Sequence, residues 1–370
     1  MGTITRNFAN NVLSGGAIDA TDGIDGVIPS SNITNSSVTN ITALPAAVGE
    51  TIESIASDPE SLSEGQMWYN STSAILKVRS VTTAGTFASG GNLNTAKHGG
   101  ATAGTQTAAL YAAGQSPGLL NQTELYNGTS WTSNPATLNT ARTQTTGFGT
   151  QTAALVVLGY VGGAPYNLAT EKWNGTSWTA FPTTNTARTQ AASAGADSNS
   201  GLAFGGWGPP LQSASESWNG STWTNTPSLN TARANLSGLG TQTAALALGG
   251  STPAGAGSQT ATESWNGSSW TSVNSLNTSR GGLGTSGTQT LGLAFGGYNP
   301  GYFSSTELWN GTSWTSNPTG LSTARTTKGS PAGSQTVALA SGGVGAASYT
   351  AATEEWTGPG VAQTKTITVS

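Results

Sequence analysis

The string Asn-Thr-Ala-Arg occurs at Asn139–Arg142, Asn185–Arg188 and Asn230–Arg233, with near copies at Asn94–Lys97, Asn277–Arg280 and Ser322–Arg325. The six basic residues that close these strings stand 45, 46, 45, 47 and 45 residues apart. Self-similarity at such a period means that one supersecondary unit is built again and again, each copy burying its apolar face against the next. A second string follows each basic residue: Glu-x-Trp-Asn-Gly-(Thr/Ser)-(Ser/Thr)-Trp, starting at Glu171, Glu216, Glu263 and Glu307. The first copy, from Glu124, has Tyr126 for the leading Trp, and the last stops at Glu354-Glu355-Trp356. Between the strings lies an apolar segment read as ending in Gly-Gly at 162–163, 205–206, 249–250, 296–297 and 342–343, with Ala113-Gly114 in the first unit.

Each unit reads as four strands. In the second, an inner strand is expected near Arg142–Phe148, and Gly149-Thr150-Gln151-Thr152 turns the chain. Ala153–Tyr160 is rich in Val, Leu and Ala, as in a strand buried on both faces. Ala169–Trp173 forms a third strand, and Asn174-Gly175 signals a hairpin, because both residues tolerate the positive φ of a type I′ turn. Ser177–Phe181 is the outer strand. Four antiparallel strands at this period form a propeller blade.

The Gly-Gly after the second strand, the two spaced aromatics Trp173 and Trp178, and the basic residue opening the next blade resemble the kelch family. The resemblance covers about residues 85–370 and implies an all-β fold: a six-bladed kelch-like propeller preceded by an extended polar N-terminal arm. WD40 repeats share the period, but their Trp-Asp ending and Gly-His start are absent. The sixth unit lacks an outer strand, and Gly85–Ser89 stands before Lys97 much as Trp131 stands before Arg142. This N-terminal strand is expected to complete blade six, and the alternating tail Gln363–Ser370 is a second candidate for the same edge.

Composition excludes several classes. Without cysteine there is neither a disulfide nor a thiolate metal site. A net charge of −4 provides no basic surface for nucleic acid. No run approaches the length of a membrane helix, and the N-terminus lacks a signal-peptide core. The single histidine, His98, and the absence of an Asp in the Asn-Gly-Thr-Ser-Trp string leave little for catalysis, so a non-enzymatic protein without cofactor is expected.

The repeat residues read as architecture. Arg142, Arg188, Arg233, Arg280 and Arg325 suggest an anion ring, but a residue needed once per blade is better explained as pairing with Glu124, Glu171, Glu216, Glu263, Glu307 and Glu354 or with strand-end carbonyls. The Trp pairs 173 and 178, 218 and 223, 265 and 270, and 309 and 314 suit the wedge between blades better than a sugar platform (Trp173, Trp178, Trp218, Trp223, Trp265, Trp270, Trp309 and Trp314). The departures from the repeat are the loops after Gly-Gly, which carry Tyr166, Trp207, Tyr298, Tyr302, Phe303 and Tyr349 on one face. Variable loops on a rigid scaffold are where binding usually resides.

Residues 1–66 are a different material, with eight acids, one base and no period. The stretch Glu64-Gly-Gln-Met-Trp-Tyr-Asn-Ser-Thr-Ser73, followed by Leu76-Lys77, resembles a junction motif of tail-fibre and other virion proteins of tailed phages. The two repeat strings likewise resemble those of kelch-like structural proteins of marine phages. The resemblance implies a virion structural protein, a tail fibre or tail-associated propeller. Residues 1–66 would dock on tail or baseplate proteins, residues 67–84 would form the junction, and the chain would assemble as a homo-oligomer in the particle. The loop face would meet a host-surface glycan or protein, or another virion protein. The alternative is a cellular carbohydrate-binding propeller or adhesin.

Overall fold

The structure is a computed structural model that describes residues 53–59, 66–81, 84–163, 166–252, 257–328, 332–360 and 362–367. The remainder of the acidic arm, 1–52 and 60–65, lies outside the described residues. Two compact units divide the chain: residues 84–359, and residues 1–83 together with 360–370.

In the larger unit five blades are four-stranded antiparallel sheets in sequential order. Blade one consists of Ala101–Gly104, Ala109–Ser116, Gly118–Tyr126 and Trp131–Asn134. Blade two has Thr146–Gly149, Ala154–Val157, Thr170–Trp173 and Trp178–Phe181. The second strand of blade two is fully buried, as its Val-rich composition demands. The inner strand starts four residues later than the sequence suggested. Gln144 adopts φ 53°, which breaks the ladder after Thr143 has made one isolated bridge to Tyr160.

Blade six closes the ring. Val337–Ser341 pairs with Thr353–Thr357, whose other edge takes Thr86–Ser89 from the N-terminal side. Phe87 lies opposite Trp356 and fills the place of a second Trp, its ring 4.9 Å from Trp356 and 5.3 Å from Phe295 of blade five. The tail does not join this edge. Ala362–Ile367 pairs with Ile75–Val81 in the other unit, where its longer register leaves a six-residue ladder.

The Asn-Gly hairpins differ from a two-residue turn. Trp173 pairs with Trp178, so Asn174–Ser177 is a four-residue loop in which only Gly175 has positive φ, 95°. The Asn174 side chain accepts the backbone N–H groups of Thr176 at 2.9 Å and Ser177 at 2.8 Å. Asn is therefore required as a local acceptor, not for left-handed backbone.

The smaller unit is a four-stranded sheet in which Glu53–Ile55 runs parallel to Met67–Asn70, which forms a hairpin with Ile75–Val81. Asp58 organises it, accepting from Trp68 Nε1 at 3.0 Å, Asn70 Nδ2 at 2.9 Å and Lys77 Nζ at 2.6 Å. The Lys77 ammonium, then Asn70 and Trp68, hold the Asp58 carboxyl down at about 2. The Trp, Asn and Lys of the junction motif are thus the donors to one carboxylate.

Candidate functional site

The repeat Glu and basic residues form a buried seam in every blade. Lys97–Glu124, Arg142–Glu171, Arg188–Glu216, Arg233–Glu263, Arg280–Glu307 and Arg325–Glu354 are ion pairs with N···O separations of 2.5 to 3.0 Å. Each Glu divides its oxygens. In blade two, Glu171 Oε1 faces Arg142 while Oε2 accepts the Asn139 backbone N–H at 2.7 Å. The first residue of Asn-Thr-Ala-Arg and its Arg are therefore bound by one carboxylate, which pins the crossover between blades to the third strand. Arginines also donate to carbonyls, as Arg233 does to Gly249 and Ala261. Burial lowers Arg142 to about 10, opposed by the Glu171 charge, so the guanidinium stays charged at neutral pH. All six pairs are buried, and none of these carboxylates or basic groups faces solvent.

The aromatic pairs fill the wedge. Trp173 and Trp178 stack tilted with centroids 5.3 Å apart, and pairs 218/223, 265/270 and 309/314 repeat this spacing. The first Trp of a pair donates to its own blade's turn, as Trp173 does to the Gln151 carbonyl at 2.9 Å. The second reaches the preceding blade, as Trp178 does to Thr123 Oγ1 at 2.9 Å.

Sequence reasoning missed the glutamine of Gly-Thr-Gln-Thr. Gln106, Gln151, Gln242, Gln289 and Gln335 each send their amide to the preceding blade. Gln335, for instance, donates to Gly292 at 3.0 Å and to Trp309 at 2.6 Å. The signal was its recurrence at one place in five of six turns. Blade three has Asn199 in this turn, and its Oδ1 accepts from Lys172 at 2.6 Å.

On the opposite face the loops meet around the axis. The pair of residues that turns the second strand toward this face has positive φ in every blade: Ala113-Gly114, Leu158-Gly159, Gly205-Gly206, Gly249-Gly250, Gly296-Gly297 and Gly342-Gly343. Blade two's turn is thus Leu158-Gly159, not Gly162-Gly163. The first position, at φ 56 to 65°, admits a non-glycine residue, whereas the second, at 92 to 120°, is glycine in every blade. The spacing was informative: Gly159, like Gly114, Gly250 and Gly297, lies 17 residues after its blade's basic residue.

This correction adds Tyr160 to the face. The residue after the turn bridges to the residue after the basic one: Tyr160 to Thr143, Trp207 to Thr189 and Tyr298 to Gly281. Tyr160, Trp207 and Tyr298 are 36, 39 and 43% exposed, and they are the exposed aromatic side chains among the described residues of the propeller. Blades one, four and six carry Gln115, Ser251 and Val344 there. Tyr166 is partly buried, and its hydroxyl accepts from Trp207 Nε1 at 2.7 Å, tying neighbouring loops. Tyr302 meets Tyr298 edge-on at 5.1 Å. Tyr349 stacks on His98 at 5.0 Å and is less exposed, and burial pushes the His98 imidazole down. Phe303 is a loop anchor, its N–H bound to Gly297 and its carbonyl to Arg325. Of the six aromatics expected on this face, Trp207 and Tyr298 stand out to solvent, Tyr166 and Tyr302 support them, and Tyr349 and Phe303 serve the loops themselves.

Along the axis the inner strands are small and hydroxylated. Ser193 Oγ donates to Gly147 O at 2.8 Å, Ser237 Oγ to Leu283 O at 2.6 Å and Thr285 Oγ1 to Gly238 O at 2.7 Å. A Cβ on Gly147 would stand 2.4 Å from Leu155 O, so only glycine permits this approach. Lys328 reaches a water-sized void lined by Thr145, Ser193 and Ser237, where its Nζ has no hydrogen-bond partner. Desolvation without a counter-ion holds it at about 7.

This arrangement defines a six-bladed kelch-type β-propeller. The same fold is found in the solved structure of YjhT, at a TM-score of 0.60 and 12% identity over 71% of this chain and 95% of that one. At that identity the likeness carries the fold alone. No family model matches the sequence, and no curated protein matches it. Among the described residues there is no cluster of three or more His, Cys, Asp and Glu placed to hold a metal, and no helix long and apolar enough to cross a membrane.

Proposed function

We propose that this chain is a non-enzymatic structural protein of a phage virion, a tail fibre or tail-associated propeller, which presents its aromatic loop face to the host surface. The observation that carries the binding face is the placement of Tyr160, Trp207 and Tyr298 at one register of three blades, exposed where the other described aromatic side chains of the propeller are buried or half-buried. Large aromatic side chains left in water at equivalent places suit a partner that covers them. The virion assignment is supported by the junction motif and the repeat strings, which resemble those of phage structural proteins. A non-catalytic role is supported by the six repeat Glu, each held in a buried pair and withheld from substrate. Attachment to the particle is assigned to residues 1–66, with other tail or baseplate proteins and further copies of this chain as partners.

The test is mass spectrometry of purified particles of the phage whose genome encodes the chain, with antibody labelling to locate it. Its presence in stoichiometric amount on the tail is expected. Its absence from particles, with the protein found instead on a cell surface, would replace this reading with that of a cellular adhesin.

A further inference from the structure

We propose that the loop face binds a neutral polysaccharide, its sugar rings stacking on Tyr160, Trp207 and Tyr298. This rests on the host-contact reading above and names the ligand class.

The segments that follow the positive-φ turns, residues 115–122, 160–169, 207–214, 251–261, 298–305 and 344–352, contain no Asp, Glu, Lys or Arg. Neither do the crossovers that share this face, 90–96, 135–141, 182–187, 227–232, 274–279 and 318–324. The basic residues that end those crossovers are buried against the repeat Glu. A phosphate, a sulfated or uronic-acid polymer, or a nucleic acid would find no exposed cation here to replace its counter-ions.

The three exposed aromatics occupy one register in blades two, three and five, and the same register in blades one, four and six holds Gln115, Ser251 and Val344. A protein partner favours a contiguous hydrophobic core with Arg at its hot spots. A chain of uncharged rings needs isolated flat faces with neutral hydrogen-bonding groups between them. Trp207 is braced for this, its indole N–H bound by Tyr166, and Tyr298 is braced by the edge of Tyr302. A rigid aromatic loses little side-chain freedom when a ring lies on it.

The opposite face is also poor in charge, but its exposed large apolar residues are Leu291 and Val337, with no aromatic among them. Low charge belongs to both faces, whereas exposed aromatic platforms without any Asp, Glu, Lys or Arg between them belong to one.

The experiment uses the full chain and host cells. Cell binding is measured after periodate, after protease and in high salt, and mobility is measured in gels containing neutral glucan, mannan or galactan, or acidic alginate. Periodate should abolish binding, while protease and salt leave it unchanged, and at least one neutral polymer should retard the protein where alginate does not. The double variant Trp207→Ala/Tyr298→Ala should lose about tenfold or more in affinity while it stays folded and unfolds cooperatively. Binding that protease removes and periodate spares would mark a protein receptor, and binding confined to alginate or lost in salt would mark an anionic one. Either result overturns the neutral-glycan assignment while host contact stands. Absence of any cell binding would overturn host contact itself.

Discussion

The two faces of the propeller come from the same six blades and differ in what recurs. On the turn face a glutamine amide crosses to the preceding blade in five of six units, and the Trp pairs lie behind it. On the loop face the residue after the positive-φ turn is Gln, Tyr, Trp, Ser, Tyr and Val in blade order. The first pattern is what a closed ring of near-identical wedges requires, since each seam must satisfy the same buried donors. The second is free of that demand, because these side chains are exposed or half-buried at the loop face. Recurrence marks the parts that hold the ring, and departure from it marks the place where chemistry can vary.

The largest effect that would test this contrast is removal of the closing strand. Deleting residues 1–93 takes away Thr86–Ser89 and leaves the Thr353–Thr357 edge unpaired. An open edge of this kind is a template for association. This variant is expected to aggregate on expression, while deletion of residues 1–66 leaves a soluble, cooperative propeller. Size-exclusion chromatography and thermal unfolding check it, and equal behaviour of the two truncations would remove the closing strand from the account.

Next comes the seam. Arg188→Ala leaves Glu216 buried with its charge uncompensated, and such a loss costs about 3–5 kcal/mol. Chemical denaturation of wild type and variant measures it. The expected accompaniment is unchanged binding per folded molecule; loss of binding at unchanged stability would make the arginine ring a ligand site instead.

The axis offers an effect that is smaller per pH unit and has a defined sign. Lys328 is held at about 7 in the folded chain and returns to about 10.4 when unfolded. Between those values the unfolded chain carries a proton that the folded chain lacks. Stability therefore rises as pH climbs from 7 towards 10, at up to about 1.4 kcal/mol per unit from this group, and the contribution is absent below 7. Lys328→Met should abolish that rise. Melting temperatures of both proteins between pH 6 and about 10 decide it, and parallel curves would mean that the ammonium has found a partner.

Much of this was legible in the sequence because the repeat supplies its own comparison. The six Glu–base pairs, the Trp wedges and the closing strand follow from asking what each blade needs once. The errors arose where one residue stands in for another. Leu158 takes the place of a glycine at φ 63°, which hid the turn of blade two and with it Tyr160, since Gly162-Gly163 offered a nearer match to the pattern. Gln144, at φ 53°, shortened the inner strand, and the signal lay in other blades, where Gly99, Asn235 and Gly282 hold the same positive-φ position two residues after the basic one. The tail reads as a strand from its alternation, but alternation does not say which edge will pair with it. Lys328 was invisible as an axial group, because only the closed ring brings blade six against the inner strands of blades two to four.

The smallest effect sharpens the comparison of the two faces. Gln151 donates to Ala109 O at 3.1 Å and to Tyr126 O, and its own carbonyl receives Trp173 Nε1. Gln151→Ala keeps the backbone carbonyl and removes the amide, leaving two partly buried acceptors of blade one without their donor. Net loss per hydrogen bond is about 1 kcal/mol, so a cost of roughly 1–2 kcal/mol is expected. Trp207→Ala, on the opposite face, gives up a side chain already 39% exposed and one hydrogen bond to Tyr166, and a substitution of that kind stays within about 0.5–1 kcal/mol. If recurrence is the mark of structure, the glutamine variant melts lower than the tryptophan variant while keeping its ligand, and the tryptophan variant does the reverse. Measured side by side by thermal unfolding and cell binding, a tryptophan variant less stable than the glutamine variant would show that the loop face, too, is part of what holds the ring.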